Sequence, residues 1–88
     1  MRLVDDVTVT VRFFAAACRA AGAAEELVTV SEGTLLGELV DSLSVRSDEL
    51  SRVLSRCQFL VDEEAVSNHD VVLRPGCTVD ALPPFAGG

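Results

Sequence analysis

No lysine occurs anywhere in these 88 residues. That absence removes three chemistries at once: a Walker phosphate loop, a Schiff base and an amine nucleophile on a side chain. Any ATP chemistry must come from another protein. Tryptophan is also missing and only four phenylalanines are present, so a compact core has to be built from aliphatic residues. No apolar run approaches the ~20 residues that a membrane-spanning helix requires, and no membrane association is expected. Basic residues are scarce as well: seven arginines face fourteen acids, for a net charge of -7. Such a chain repels phosphate backbones, which argues against nucleic acid and for partners with a basic face. The opening MRLVDDVTV places two acids where an export signal carries its apolar segment, so a cytoplasmic location is expected. Cys18, Cys57 and Cys77 are odd in number and lack C-x-x-C spacing. They predict buried free thiols, with no disulfide framework, no metal site and no cofactor.

What is present is a clear change of period along the chain. Val7, Val9, Val11 and Phe13 alternate with Thr8, Thr10, Arg12 and Phe14, which predicts a half-buried strand with Phe14 on its outer side. The alanine-rich AAACRAAG that follows predicts a helix capped by Gly22. Glu26 to Val30 reads as a short strand, and Ser31, Glu32 and Gly33 break it. Leu35, Leu36, Leu39, Val40 and Leu43 repeat at helical spacing and predict the main helix from Thr34, its expected N-cap, to about Leu43. Ser47 opens a second helical stretch with Leu50, Val53, Leu54 and Cys57 on one face. Gln58 to Val61 returns to strand, Asp62 to Glu64 to a turn, and Ala65 and Val66 to a short partner strand. After the loop SNHDVVLRPG, a last strand CTVDAL turns Val79 and Ala81 one way and Thr78, Asp80 and Leu82 the other.

The expected class is therefore α+β: one mixed sheet of about five strands with helices packed on one face. Should the first and last strands be neighbours, Phe14 and Leu82 meet on the outer face as an apolar patch, either incidental surface or a binding site. Other candidates weaken on inspection. Ser67, His69 and Asp70 are nearly adjacent in sequence, whereas a catalytic triad converges from separate segments. Asp62, Glu63 and Glu64 lack the spacing of a calcium loop and read as a solvated turn. The tail is different. Pro83 and Pro84 favour stiff polyproline geometry, and Gly87 and Gly88 fit a channel too narrow for any Cβ. Extended, residues 83–88 reach about 20 Å, enough to enter a partner's cleft; simple terminal fraying is the competing reading.

Three stretches resemble a known family: VTVRFFA, VSEGTLLGELVDSL and LRPGCTVDALPPFAGG, the last matching an L-x-x-G-x-x-V then P-P-x-x-G-G pattern. The chain from about Val7 to Gly88 resembles the ubiquitin-like sulfur carriers of the MoaD/ThiS family, and most closely their molybdopterin synthase small subunits. The resemblance implies a β-grasp domain over residues 1–82 and a flexible tail over 83–88. It implies that a MoeB-like adenylyltransferase uses ATP to join the Gly88 carboxylate to AMP, and that sulfur then displaces AMP to leave a thiocarboxylate. A MoaE-like large subunit, in a heterotetramer, would take this tail and pass sulfur to cyclic pyranopterin monophosphate, forming the molybdopterin dithiolene of the molybdenum cofactor. On this resemblance Gly88 carries sulfur, Gly87 gives clearance, Pro83, Pro84, Phe85 and Ala86 form the rest of the tail, and Phe14 and Leu82 contact partners.

The chain would not be catalytic alone. A carrier for thiamine, cysteine or tRNA thiolation shares the tail, and so does a ubiquitin-like protein modifier; a binding module with an inert tail is the remaining alternative. Two features depart from the pattern. MRLVDD lies outside the match, and Asp62 and Glu63 stand where relatives carry an Asn-Gly-like turn. A Glu in left-handed geometry costs about 1–2 kcal/mol.

Overall fold

The computed structural model describes residues 5–84. Its elements run in the order β1 (Asp6–Phe13), α1 (Ala16–Ala21), β2 (Glu25–Ser31), α2 (Leu36–Ser44), α3 (Asp48–Leu54), β3 (Gln58–Val61), β4 (Glu64–Ala65) and β5 (Thr78–Leu82). The strands form one sheet in the order β2-β1-β5-β3-β4. Only β1 and β5 pair in parallel; the other neighbours are antiparallel. This is the mixed α+β sheet expected from the patterning and from the β-grasp resemblance. Among the described residues no helix is long and apolar enough to cross a membrane.

The two-residue period of β1 sends Val7, Val9, Val11 and Phe13 into the core, where they join Val79 and Ala81 of β5 and Phe59 of β3. The stripe of α2, Leu36, Leu39, Val40 and Leu43, and Leu50 and Leu54 of α3 complete that core. Fully burying one such aliphatic side chain contributes about 1.5–3 kcal/mol. Gly22 ends α1 in the left-handed region (φ 81°), its N–H donating to Cys18 O at 2.9 Å. Ser47 caps α3: its Oγ accepts the Leu50 N–H at 3.1 Å.

The N-terminus of α2 is built differently from the expectation. Thr34 is not the cap; its hydroxyl donates to Ser31 O at 2.6 Å and closes the preceding turn. Leu35 holds the cap position in extended geometry, and its N–H donates to the Glu38 carboxylate at 2.9 Å. The segment between β4 and β5 serves two further donors. Leu36 N–H donates to Val71 O and Gly37 N–H to His69 O, while Leu73 N–H reaches back to Thr34 O. That loop is thus a strap across the helix start, and it plants Leu73 in the core at 2% exposure. A Cβ on Gly37 would stand 3.1 Å from His69 Cβ, so the close approach favours glycine.

The second correction concerns the turn after β3. Val61 pairs with Glu64, so the loop is only Asp62 and Glu63, and the strand is Glu64–Ala65 rather than Ala65 and Val66. Both loop residues have positive φ, 51° and 71°, as a type I′ hairpin demands. Asp62 anchors the strained loop to β5: its N–H donates to Thr78 O, and its Oδ1 accepts the Thr78 N–H at 2.9 Å.

Candidate functional site: the base of the tail

β5 is clamped from both sides. Phe13 faces Ala81 across the parallel pairing, Gln58 faces Leu82 across the antiparallel one, and Phe14 N–H donates to Ala81 O at 3.2 Å. The last strand is therefore held up to Leu82, and the chain leaves it at Pro83 beside Phe14. Phe14 and Leu82 line one groove of about 530 Å³ together with Ala15, Arg56, Gln58 and the diproline. A second hollow of about 290 Å³ lies on the helical side of Pro83 and Pro84, walled by Ala16, Arg52, Val53 and Arg56. Phe14, Leu82, Pro83 and Pro84 are thus brought together. Phe85, Ala86, Gly87 and Gly88 lie outside the described residues.

Two features of this site escaped the sequence reading. One is the turn that leaves β1. Ala15 adopts φ 51°, ψ -123°, the conformation of the first central residue of a type II′ turn, where glycine is usual. Ala17 N–H closes the turn onto Phe14 O at 2.9 Å. The backbone thus bends sharply at Phe14, which is 38% exposed beside the tail.

The other is an ion pair on the outer sheet face. Arg12 Nε and Nη2 donate to the two Asp80 oxygens at 2.6 and 2.7 Å. Asp80 is 3% exposed. Its hydrogen bonds to Arg12, then its charge, hold the guanidinium above the usual arginine range. The same guanidinium sits 5.7 Å from the Phe14 ring centre, so β5, β1 and the groove wall are linked through one side chain. Alternation alone put Arg12 and Asp80 in the outer sets of their strands; their meeting needed the register, which no local pattern carries.

The other candidates stay apart from this region. Asp70 N–H donates to Asn68 Oδ1 at 2.9 Å, a local turn, and His69 sets its ring edge-on against Phe59. Among the described residues no three His, Cys, Asp or Glu side chains converge as a metal site. The three cysteines are free, yet only Cys77 is fully buried; Cys18 and Cys57 are half-buried. Desolvation pushes the Cys57 thiol up to about 11, and raises Cys77 as well. A protonated thiol is a poor nucleophile, so burial lowers the reactivity of both below that of a free cysteine.

Comparison with known proteins agrees with this architecture. No curated protein sequence matches the chain. SAMP1 from Haloferax volcanii superposes with a TM-score of 0.79 at 24% identity, over 92% of this chain and 99% of that one. A putative molybdopterin converting factor subunit 1 from Pyrococcus furiosus gives 0.80 at 24% identity, covering 90% and 99%. A complex of subunits 1 and 2 of molybdopterin-converting factor from Helicobacter pylori gives 0.68 at 23% identity, covering 93% and 100%. At these identities the likeness speaks for the fold. A family model, that of the ThiS family, matches residues 11–88. With nearly the whole chain matched and the sheet in place, this protein belongs to the ThiS family, in the ubiquitin-like β-grasp fold shared by sulfur carriers and small protein modifiers.

Proposed function

We propose that this chain is a sulfur carrier loaded as a thiocarboxylate on Gly88, and that it works as the small subunit of molybdopterin synthase. The observation that carries the reading is the held end of β5 at Leu82 beside an open apolar groove, taken with a family match that runs through residue 88. A diproline at that point favours stiff polyproline geometry at the base of the tail. Fully extended, six residues can reach about 20 Å, enough to enter a partner's cleft.

The chemistry follows from the terminal carboxylate. A carboxylate resists nucleophilic addition, so an ATP-using, MoeB-like adenylyltransferase first lets it attack the α-phosphorus and expel pyrophosphate. Sulfide then adds at the carbonyl carbon, and AMP leaves with the C–O electron pair. The thiocarboxylate so formed is a softer nucleophile than the acid. A MoaE-like large subunit would receive it and build the dithiolene on cyclic pyranopterin monophosphate. The Helicobacter pylori relative, solved as a complex of its two subunits, supports a large-subunit partner, and a heterotetramer is the assembly proposed with it. The chain's own residues position this tail: Phe14 and Leu82 offer apolar contact, and Gly87 admits the partner's walls.

A second reading is favoured by the likeness to SAMP1, a small archaeal modifier protein: activation at Gly88 followed by transfer to a target amine. Both readings share the adenylate and part at the acceptor. Incubation with the cognate adenylyltransferase, ATP and sulfide, followed by intact mass, tests the carrier. Oxygen-to-sulfur exchange at the C-terminus and dithiolene formation with the large subunit support the synthase reading. Reductant-resistant conjugates to lysines of other proteins, without dithiolene formation, support the modifier.

A further inference from the structure

Among the described residues, two of this acidic protein's arginines are already engaged: Arg12 with Asp80 and Arg46 with Glu26. Arg19, Arg74, Arg52 and Arg56 are not, and of these the last two stand together beside the diproline. Both are exposed, and neither guanidinium has a hydrogen-bond or ion-pair partner among the described residues. Arg52 has Asp48 four residues before it on α3, a spacing that ordinarily favours a helix-surface pair. Instead it lines the hollow beside the diproline, and Arg56, just past the end of α3, borders both hollows. Two unpaired cations therefore stand at the one place where the chain leaves its sheet, against walls that are otherwise mostly apolar.

We propose that Arg52 and Arg56, with the hollows flanking Pro83 and Pro84, dock an acidic, apolar-anchored segment of the enzyme that activates the C-terminus. This rests on the activation step of the function proposed above. Two guanidiniums four residues apart suit carboxylates, which they bind in bidentate fashion. Complementarity is the deciding argument. On a protein of net charge -7 two unpaired arginines side by side make a local basic lip, so an acidic segment seated there also sets the orientation of approach. The activating enzyme is the occupant because both readings, carrier and modifier, require it, whereas only one requires the large subunit. The contact would hold the tail's base while the residues beyond Pro84 enter the adenylation site.

The test is steady-state adenylation by the cognate adenylyltransferase, read as ATP–pyrophosphate exchange, with the full chain as the varied substrate. Arg52→Gln/Arg56→Gln removes two positive charges at the lip; Arg74→Glu changes net charge by the same amount elsewhere. The expected result is a KM for the carrier raised roughly tenfold or more in the double variant, with kcat unchanged. The Arg74 variant stays within about twofold of the parent, and high salt shrinks the difference, as for any charge-steered contact. Equal KM for double variant and parent overturns the docking. So does an equal rise in both variants, which would reflect bulk charge. A fall in kcat with a raised KM for ATP would assign the arginines to nucleotide phosphate instead, and overturns it too. Failure of the unsubstituted chain to be adenylated overturns the functional reading and this one together; adenylation with unmoved KM overturns this one alone. Far-UV circular dichroism and thermal melting confirm that the variants fold.

Discussion

Arg12 on β1 and Asp80 on β5 stand opposite each other in the parallel register and close a two-pronged ion pair at 2.6 and 2.7 Å. The pair ties the first strand to the last one turn short of the tail, with a carboxylate only 3% exposed. Removing one member leaves the other charge uncompensated, which is where the cost of such pairs lies. Arg12→Ala is expected to lower stability, by less than for a fully buried pair because Arg12 itself remains in contact with water. Adding Asp80→Asn should recover part of that loss. Urea denaturation of the single and double variants measures both; a single variant as stable as the parent contradicts the assignment.

Ala15 gives the opposite sign. At φ 51°, ψ -123° an L-residue is strained and glycine is not. Ala15→Gly should raise stability by about 0.5–1 kcal/mol, the relief of strain exceeding the entropy glycine returns to the unfolded chain. A lowered melting temperature would show that the alanine methyl contributes more by packing than it costs by conformation.

The hairpin loop after β3 makes a parallel case. Glu63, at φ 71°, holds the second left-handed position of a two-residue loop, so Glu63→Gly is expected to add about 1 kcal/mol. Asp62 should not be exchanged for glycine in the same experiment, since its carboxylate accepts the Thr78 N–H. Thermal unfolding of Glu63→Gly checks this, and a decrease would mean the loop is not of the primed type.

Cys57 supplies the pH dependence. Desolvation lifts its thiol from 9.0 to about 11, and its Sγ–H donates to Val53 O at 3.3 Å. Between those two values the unfolded chain has released this proton and the folded chain still holds it. The native state thus binds more protons, and stability falls as pH rises across that interval. Below pH 9 the contribution is intact. Alkylation by iodoacetamide at pH 8 should be slower at Cys57 than at a free thiol and should accelerate as pH approaches 11. A rate at pH 8 equal to that of an unstructured cysteine peptide would contradict the shift.

Much of this fold is legible in the sequence. The alternation of β1, the leucine stripe of α2 and the Ser47 cap each depend on contacts close in sequence, and all eight elements appear in the expected order. The misreadings share a cause. Thr34 looked like a cap because its hydroxyl could serve either the helix or the turn before it; the turn won, and a distant loop supplied the helix with acceptors. Leu73 looked like a loop residue because Pro75 and Gly76 follow it, yet it is core. The basic lip was invisible for the same reason: no local pattern singles out Arg52 and Arg56, and only the fold lays Pro83 and Pro84 against them.

Period alone put Phe14 and Leu82 on the outer sides of their strands, and the pairing of β1 with β5 brings them to one groove. Their part in partner binding remains the proposal, together with everything assigned to Gly88.

The most direct measurement of that proposal is intact-mass analysis of the chain after incubation with its adenylyltransferase, ATP and sulfide, beside a variant lacking Gly88. The account predicts replacement of one oxygen by sulfur at the C-terminus of the full chain and none in the shortened one. An unchanged mass for the full chain, or equal sulfur uptake by both, would contradict it.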